Sequence, residues 1–361
     1  MEAPDLIKQY GWSDQLARAF EPHARAGHVP GRVVVQHRDG YVVATDDGEL
    51  RAKLSGRMRH EAREAGHPAV GDWAALSLNP AQRTATIHAI LPRRTAFTRR
   101  AADSPQTPQI IAANIDVAFV VTSMNADLNP RRIERYLAAA WQSGARPVVV
   151  LTKSDLCADT QPQAAEIEAL AKGCPVVVVS ARQGLGLDGL LVHVAPGETC
   201  VLIGSSGVGK STLVNVLLGE ARMATQAIRE SDDQGRHTTS HRQLVLLPGG
   251  GMIVDTPGVR EVGLIDADEG LDMVFEDIER LAQACKFNNC GHANEPGCAV
   301  RGALESGALN ADRWAHFQKL GLELAAVEDK ADRAAKDAER RRLAGLQKTY
   351  RATKRDSRGT D

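Results

Sequence analysis

Apolar and polar positions change rhythm twice along the chain. From Val29 to Phe97 they come in short alternating or β-branched runs: Arg32–Gln36, Tyr41–Thr45, Gly71–Ser77 and Thr84–His88. Turn signals at Asp39-Gly40, Asp46-Asp47-Gly48 and Asn79-Pro80 separate them. About five short strands over about 70 residues predict a small closed barrel, and the OB-fold is the common nucleic-acid-binding version. Residues 101–109, with Pro105 and Pro108, read as a loop. The second rhythm starts at Ile115–Thr122, a near-continuous apolar run of the kind a strand covered on both faces requires. A helix over Pro130–Ser143, strands at Pro147–Leu151, Pro175–Val179 and Thr199–Ile203, and helices at Ala164–Ala171 and Gly189–Val194 follow. Strands alternating with helices predict a doubly wound α/β domain. Asn310–Lys354 reads as an Ala-rich, charged helix.

The strand Thr199–Ile203 runs into Gly204-Ser205-Ser206-Gly207-Val208-Gly209-Lys210-Ser211-Thr212. This is the spacing of a phosphate-binding P-loop, with a helix expected from about Lys210. Glycines let backbone N–H groups curl around phosphate oxygens, and the helix turns its positive end to the same anion. Lys210 is the candidate for the β- and γ-phosphates and Ser211 for a Mg²⁺ ion. A nucleoside triphosphate is the expected ligand.

Two further motifs end strands. Thr152-Lys153-Ser154-Asp155 follows one strand, and Ser180-Ala181-Arg182 follows the next. A carboxylate at Asp155 accepts from guanine N1–H and N2–H₂, donors that adenine lacks; a backbone N–H near Ser180-Ala181 can meet guanine O6. Met252-Ile253-Val254-Asp255-Thr256-Pro257-Gly258 is a strand ending in Asp-x-x-Gly. There Asp255 is a candidate Mg²⁺ ligand and the Gly258 N–H a candidate γ-phosphate donor. The intervening polar stretch Gly235–His241 suits a switch loop, and either Thr238 or Thr239 is its candidate Mg²⁺ ligand. The guanine motifs precede the P-loop, the reverse of an ordinary small GTPase, so a circular permutation is the simplest reading.

Composition narrows this picture. A chain of 361 residues with 43% hydrophobic content has room for two or three domains. No apolar run approaches the roughly 20 residues that span a bilayer, and the first ten residues contain no signal core, so a cytoplasmic protein is expected. The net charge of −1 confines any nucleic-acid affinity to local patches. Arg51, Lys53, Arg57, Arg59, Arg63, Arg93, Arg94, Arg99 and Arg100 cluster in and around the barrel, where a solvated surface is an equal alternative. Residues 330–361 carry eleven Lys/Arg against five Asp/Glu, a candidate basic tail for RNA phosphates. Cys285, Cys290, His292 and Cys298 fall within fourteen residues and match a closed Cys₃His zinc site, expected to be structural.

Taken together, Gly31–Val34, Val70–Trp73, Leu91–Arg94, Asn129–Arg132, the P-loop, Gly235–Thr239, Asp255–Gly258 and the cysteine cluster with Glu295–Val300 resemble the circularly permuted RsgA (YjeQ) GTPase family. The resemblance covers nearly the whole chain. It implies an N-terminal extension over 1–28, an OB-fold RNA-binding domain over 29–98 and a permuted P-loop GTPase over 110–270. A mostly α zinc-binding domain with its basic tail fills 271–361. It further implies GTP hydrolysis to GDP with Mg²⁺, one structural Zn²⁺, and docking of a monomer on the rRNA of the small (30S) ribosomal subunit to assist its late maturation. Two departures stand out: Thr152 replaces the asparagine common in GTPases, and Val259 occupies the place of the water-orienting glutamine of Ras-type enzymes. His237 is the in-chain candidate to replace that glutamine. Gly207 lacks the asparagine that potassium-using GTPases carry in the loop. Two other readings compete: a metabolic P-loop ATPase or kinase, against which Asp155 and Ser180-Ala181 argue, and an RNA-binding protein whose GTP site only gates conformation.

Overall fold

The computed structural model describes residues 6–323 except 38, 102–103, 126–127, 172, 220–241 and 256–272, together with 325 and 333. Two short helices open it, α1 (Leu6–Gln9) and α2 (Asp14–Arg25), the second capped by the Ser13 hydroxyl accepting from Leu16 N–H. Their apolar residues Ile7, Leu16 and Phe20 are buried, and Trp12 meets Trp73 edge-on at 4.9 Å.

Five strands then close on themselves: β1 (Val29–His37), β2 (Gly40–Thr45), β3 (Gly48–Leu54), β4 (Trp73–Asn79) and β5 (Thr84–Ile90). The order is β1-β2-β3-β5-β4 with β4 returning to β1, the closure expected of the barrel. Val33, Val43, Leu50, Leu76 and Ile87 fill its interior. The strand without a clear signal in the sequence is β3. Its Leu50 and Ala52 are buried while Glu49, Arg51 and Lys53 are exposed, so charged residues obscure a genuine period of two. Helix α3 (Gly56–Ala65) bridges β3 and β4.

Residues 101–109 are not a plain loop: β6 (Ala96–Ala101) and β7 (Ser104–Ala113) form a two-stranded ribbon. In a ribbon each strand has an open edge, where a residue without an N–H such as Pro105 or Pro108 is tolerated.

The α/β part contains β8 (Val117–Ser123), β9 (Arg146–Thr152), β10 (Val176–Val178), β11 (Thr199–Ile203), β12 (Arg242–Leu246) and β13 (Met252–Asp255). Their order is β10-β9-β8-β11-β13-β12, all parallel except β12. Alternate side chains serve opposite cores. Ala118, Val120, Val149 and Leu151 join Ile133 and Leu137 of α4 (Pro130–Gln142) and Ile167 of α5 (Gln161–Leu170). Val117, Phe119, Val121, Val148 and Val150 join Leu190 of α6 (Leu187–Leu191) and Leu213 and Leu217 of α7 (Lys210–Leu218). Strand order reverses between β8 and β11, and α/β sheets bind ligands outside the carboxyl ends of strands at such a point.

Barrel and sheet are continuous, because β1 pairs antiparallel with β12 at Val35↔Gln243 and Gln36↔Arg242. Arg32 locks this joint. Only 2% exposed, its guanidinium donates to the carbonyls of Tyr10, Gly71 (3.2 Å) and Asn114 (3.2 Å) and to Thr199 Oγ1 (2.9 Å), and it lies over the Trp73 ring. Burial pulls its pKa down to about 10, so it is still charged at neutral pH. Beside it, Arg93 grips the buried Asp72 with two 2.7 Å bonds, and Arg94 reaches Asp116 at 3.0 Å. These two arginines, counted among the barrel's surface bases, are therefore structural ties.

Residues 1–99 and 109–276 make one compact unit, and 100–108 with 277–361 a second. The second contains most of α8 (Glu276–Gln283), a loop with the cysteine cluster, α9 (Ala299–Ser306) and a helix over 311–323. Arg313 holds Asp277 through bonds of 2.8 and 3.0 Å.

Candidate nucleotide site and metal centre

The crevice at the carboxyl ends of β8, β9 and β11 gathers the sequence-predicted nucleotide residues. Gly204, Gly207 and Gly209 all have positive φ, the backbone a tight anion-cradling loop demands. At Gly204 (φ +146) a Cβ would lie 2.2 Å from the Val121 carbonyl oxygen, so only glycine lets β11 leave beside β8. Gly209 caps α7, which starts at Lys210 as the motif predicts. Lys210 Nζ donates to the carbonyls of Gly204 (2.6 Å) and Ser205, folded over the loop that would enclose phosphates. Val208 is buried, Ser206 and Gly207 are exposed, and Ser211 and Thr212 sit half-buried in the first turn of α7.

The motif after β9 is tied to this loop. Lys153, in the left-handed region at φ +59, donates from Nζ to the Gly207 carbonyl at 2.8 Å. The Thr152 hydroxyl donates to the Val208 carbonyl and also sits 3.1 Å from that of Thr122. A threonine thus still braces the P-loop where many GTPases use asparagine. Ser154 and Asp155 form a single 3₁₀ turn, and Ser180 Oγ, fully buried, donates to Asp155 Oδ1 at 2.6 Å. Sequence reasoning assigned Ser180 a backbone contact only; its side chain orients the carboxylate. Ala181 is half-buried and Arg182 exposed beside it. A second contact had no signal beyond its motif: Arg132, in the first turn of α4, donates to Ser205 Oγ at 2.8 Å.

Asp255 ends β13, next to β11. His237, Thr238, Thr239, Gly258 and Val259 lie outside the described residues, as does the Asp255 side chain.

In the second unit the ligand atoms of Cys285, Cys290, His292 and Cys298 lie within 4.8 Å of one another. His292 Nδ1 is 3.5 Å from both Cys285 Sγ and Cys298 Sγ, which are 3.9 Å apart. Zinc bonds of about 2.3 Å to sulfur and about 2.0–2.1 Å to nitrogen set tetrahedral edges of about 3.8 and 3.6 Å, so the donor set fits that ion. The sequence builds this cage locally. The Glu295 carboxylate accepts from the N–H groups of Gly291, Ala293 and Asn294, and those backbone donors lower its pKa. Cys298 caps α9, its sulfur accepting from Arg301 N–H at 3.4 Å. Trp314 closes over His292 edge-on at 5.7 Å.

The RsgA GTPase family model matches residues 90–265. The chain is 44% identical to the small ribosomal subunit biogenesis GTPase RsgA of Opitutus terrae over 97% of this chain and 98% of that one. Identity to the protein of that name from Streptomyces coelicolor is 47%, covering 91% and 90%. The chain belongs to the RsgA GTPase family. Among solved structures it is similar to YjeQ from Thermotoga maritima, with a TM-score of 0.62 and 26% identity over 82% of this chain and 99% of that one. The permuted order follows from the sheet: β8 and β9 precede the P-loop strand β11 in the chain yet occupy one side of it. For an RsgA protein the joint around Arg32 matters, because β1 pairs with β12 and β12 with β13, the strand that ends at Asp255. Among the described residues no helix is long and apolar enough to cross a membrane.

Proposed function

We propose that this RsgA-family chain is a cytoplasmic, monomeric GTPase that docks on the rRNA of the small ribosomal subunit and assists its late maturation. The guanine-specific half is carried by one juxtaposition: Asp155, held by Ser180, follows Lys153, which is bonded to the P-loop at Gly207. The subunit half is supported by relatives named small ribosomal subunit biogenesis GTPases, 44 and 47% identical over nine-tenths of the chain or more.

In this reading residues 204–212 wrap the phosphates with backbone N–H groups, and Lys210 leaves its loop carbonyls to meet the β- and γ-oxygens. Asp155 accepts from the guanine edge, while Ser180, Ala181 and Arg182 line its O6 side. Mg²⁺, with Ser211, Thr238 or Thr239 and Asp255 as its ligands, supplies charge neutralisation at the β- and γ-oxygens when bound. Gly258 N–H meets the γ-phosphate, and His237 orients the attacking water. Cys285, Cys290, His292 and Cys298 hold a structural Zn²⁺, four protein ligands leaving no open position for catalysis. We assign 29–98 to an RNA-binding OB-fold, 110–270 to the GTPase and 271–361 to the zinc domain and basic tail.

Cosedimentation tests this. The full chain should pellet with small ribosomal subunits in the presence of a non-hydrolysable GTP analogue and be released with GDP. Equal pelleting in both states, or with large subunits alone, would overturn the assignment.

A further inference from the structure

We propose that Arg132 supplies an in-chain guanidinium to the transferring phosphoryl group, steered to it by Ser205 of the P-loop. The inference rests on the GTPase reading and deepens it at one site.

Placement comes first. β8 and β11 run parallel in register, Val117 beside Cys200 and Val120 beside Ile203, so both strands end at the same edge. The chain leaving β11 becomes the P-loop, and the chain leaving β8 reaches α4. The start of α4 is built to hold its orientation: Asn129 Oδ1 accepts from Arg132 N–H at 3.2 Å, and Pro130 fills the first helical position, where no N–H is needed. Arg132 then lies in the first turn, half-buried, and its guanidinium donates to Ser205 Oγ at 2.8 Å.

The company at Ser205 gives the contact its meaning. Lys210 Nζ donates to the backbone carbonyl of this same residue. Two cations therefore converge on one residue of the phosphate loop, a placement suited to a nucleotide polyanion. Lysine is a compact point charge, whereas the guanidinium presents a planar fork of N–H donors matching phosphate oxygens, and Ser205 engages one of them. Val259 stands where Ras-type enzymes carry a water-orienting glutamine, so stabilisation of the transferring group has to come from other residues. An arginine supplied from within the chain is a known means to that end in GTPases. Asn129–Arg132 thereby acquires a chemical role that its sequence pattern alone did not suggest.

The alternative is a brace that merely holds α4 against the P-loop, and the two readings differ in what they discriminate. A brace supports GDP and GTP alike; a group aimed at the γ-phosphoryl favours GTP and its transition state. The test uses the full chain as wild type, Arg132→Ala, Arg132→Lys and Ser205→Ala, with affinities for GDP and a non-hydrolysable GTP analogue and single-turnover GTP hydrolysis as readouts. Arg132→Ala should weaken the analogue at least about fivefold, change GDP less than about twofold, and slow hydrolysis at least about tenfold. Arg132→Lys, which keeps the stem and the charge, should retain part of the analogue preference but hydrolyse slowly, and it decides the matter if the alanine variant does not fold. Ser205→Ala should shift the same ratio in the same direction by less. Equal weakening of GDP and analogue, or no change in either, overturns the proposal. Wild-type protein that binds GTP without hydrolysing it would overturn the GTPase reading, while the affinity ratio would still decide Arg132.

Discussion

The Ser180 hydroxyl donates a 2.6 Å hydrogen bond to Asp155 Oδ1, joining the residues that follow β10 and β9. One carboxylate oxygen is thereby fixed before any base arrives, and Asp155 is oriented for a two-donor partner. Asp155→Asn presents a donor to guanine's N–H groups, whereas xanthine offers a carbonyl at that edge. The change should weaken GTP by about 2–5 kcal/mol and raise affinity for XTP. Competition binding with the two nucleotides checks this; undiminished GTP affinity with no gain for XTP would sink the role of Asp155.

Arg32 should prove a stability residue. Its guanidinium satisfies the carbonyls of Tyr10, Gly71 and Asn114 and the Thr199 hydroxyl in one buried volume. Arg32→Ala strands those acceptors and opens a cavity under Trp73, at an expected loss of about 3–5 kcal/mol. Arg32→Lys should recover little, since an ammonium has no planar fork to span four partners. Denaturant titration of the full chain is the measurement; a loss below about 1 kcal/mol would mean the joint is held elsewhere.

How far these features were legible depended on the physics behind each. The P-loop could be read because phosphate binding dictates glycine spacing and a lysine, and the cysteine cluster because four ligands must come close in space. The β8 and β9 strands announced themselves by unbroken apolar runs. Strand β3 did not, since Glu49, Arg51 and Lys53 fill its outer face. Arg32 was not legible as a core residue, because five partners spread from residue 10 to residue 252 become neighbours only in the fold. Arg93 read as a surface base for the same reason: Asp72, its partner, is 21 positions away. Gly71 belongs to this class too, its φ of +92 and the Ala113 carbonyl 2.0 Å from a would-be Cβ being invisible in one dimension.

The cysteine cluster should act as a fold constraint on the second unit. Cys290→Ala removes one of four ligands, and metal binding in such sites is folding free energy. Hydrogen exchange should then accelerate over residues 277–323, while GTP affinity of the upstream sheet changes little. Elemental analysis supplies the companion check, with one zinc per chain in wild type. Purified protein without stoichiometric zinc would mean that this module has been misread.

The last prediction concerns turnover. In the proposed reading the P-loop, magnesium ligands and guanine motif supply grip and recognition, but Val259 cannot orient a water. We expect the small subunit to complete the site, with RNA docking bringing His237 into that role. About 1.4 kcal/mol off the barrier is tenfold in rate, a modest demand on one ordered group. Small subunits should therefore raise single-turnover hydrolysis at least about tenfold. His237→Ala should keep GTP binding and lose most of the stimulation; Lys210→Ala should lose both. Docking through Lys/Arg–phosphate contacts releases counterions, so the stimulation should fall steeply as salt rises from about 50 to 200 mM. Arg93 and Arg94, committed to Asp72 and Asp116, should contribute little to that salt slope, whereas bases outside the joint such as Arg51 and Lys53 should reduce it when neutralised. Equal rates with and without subunits at low salt would remove the ribosome from this mechanism.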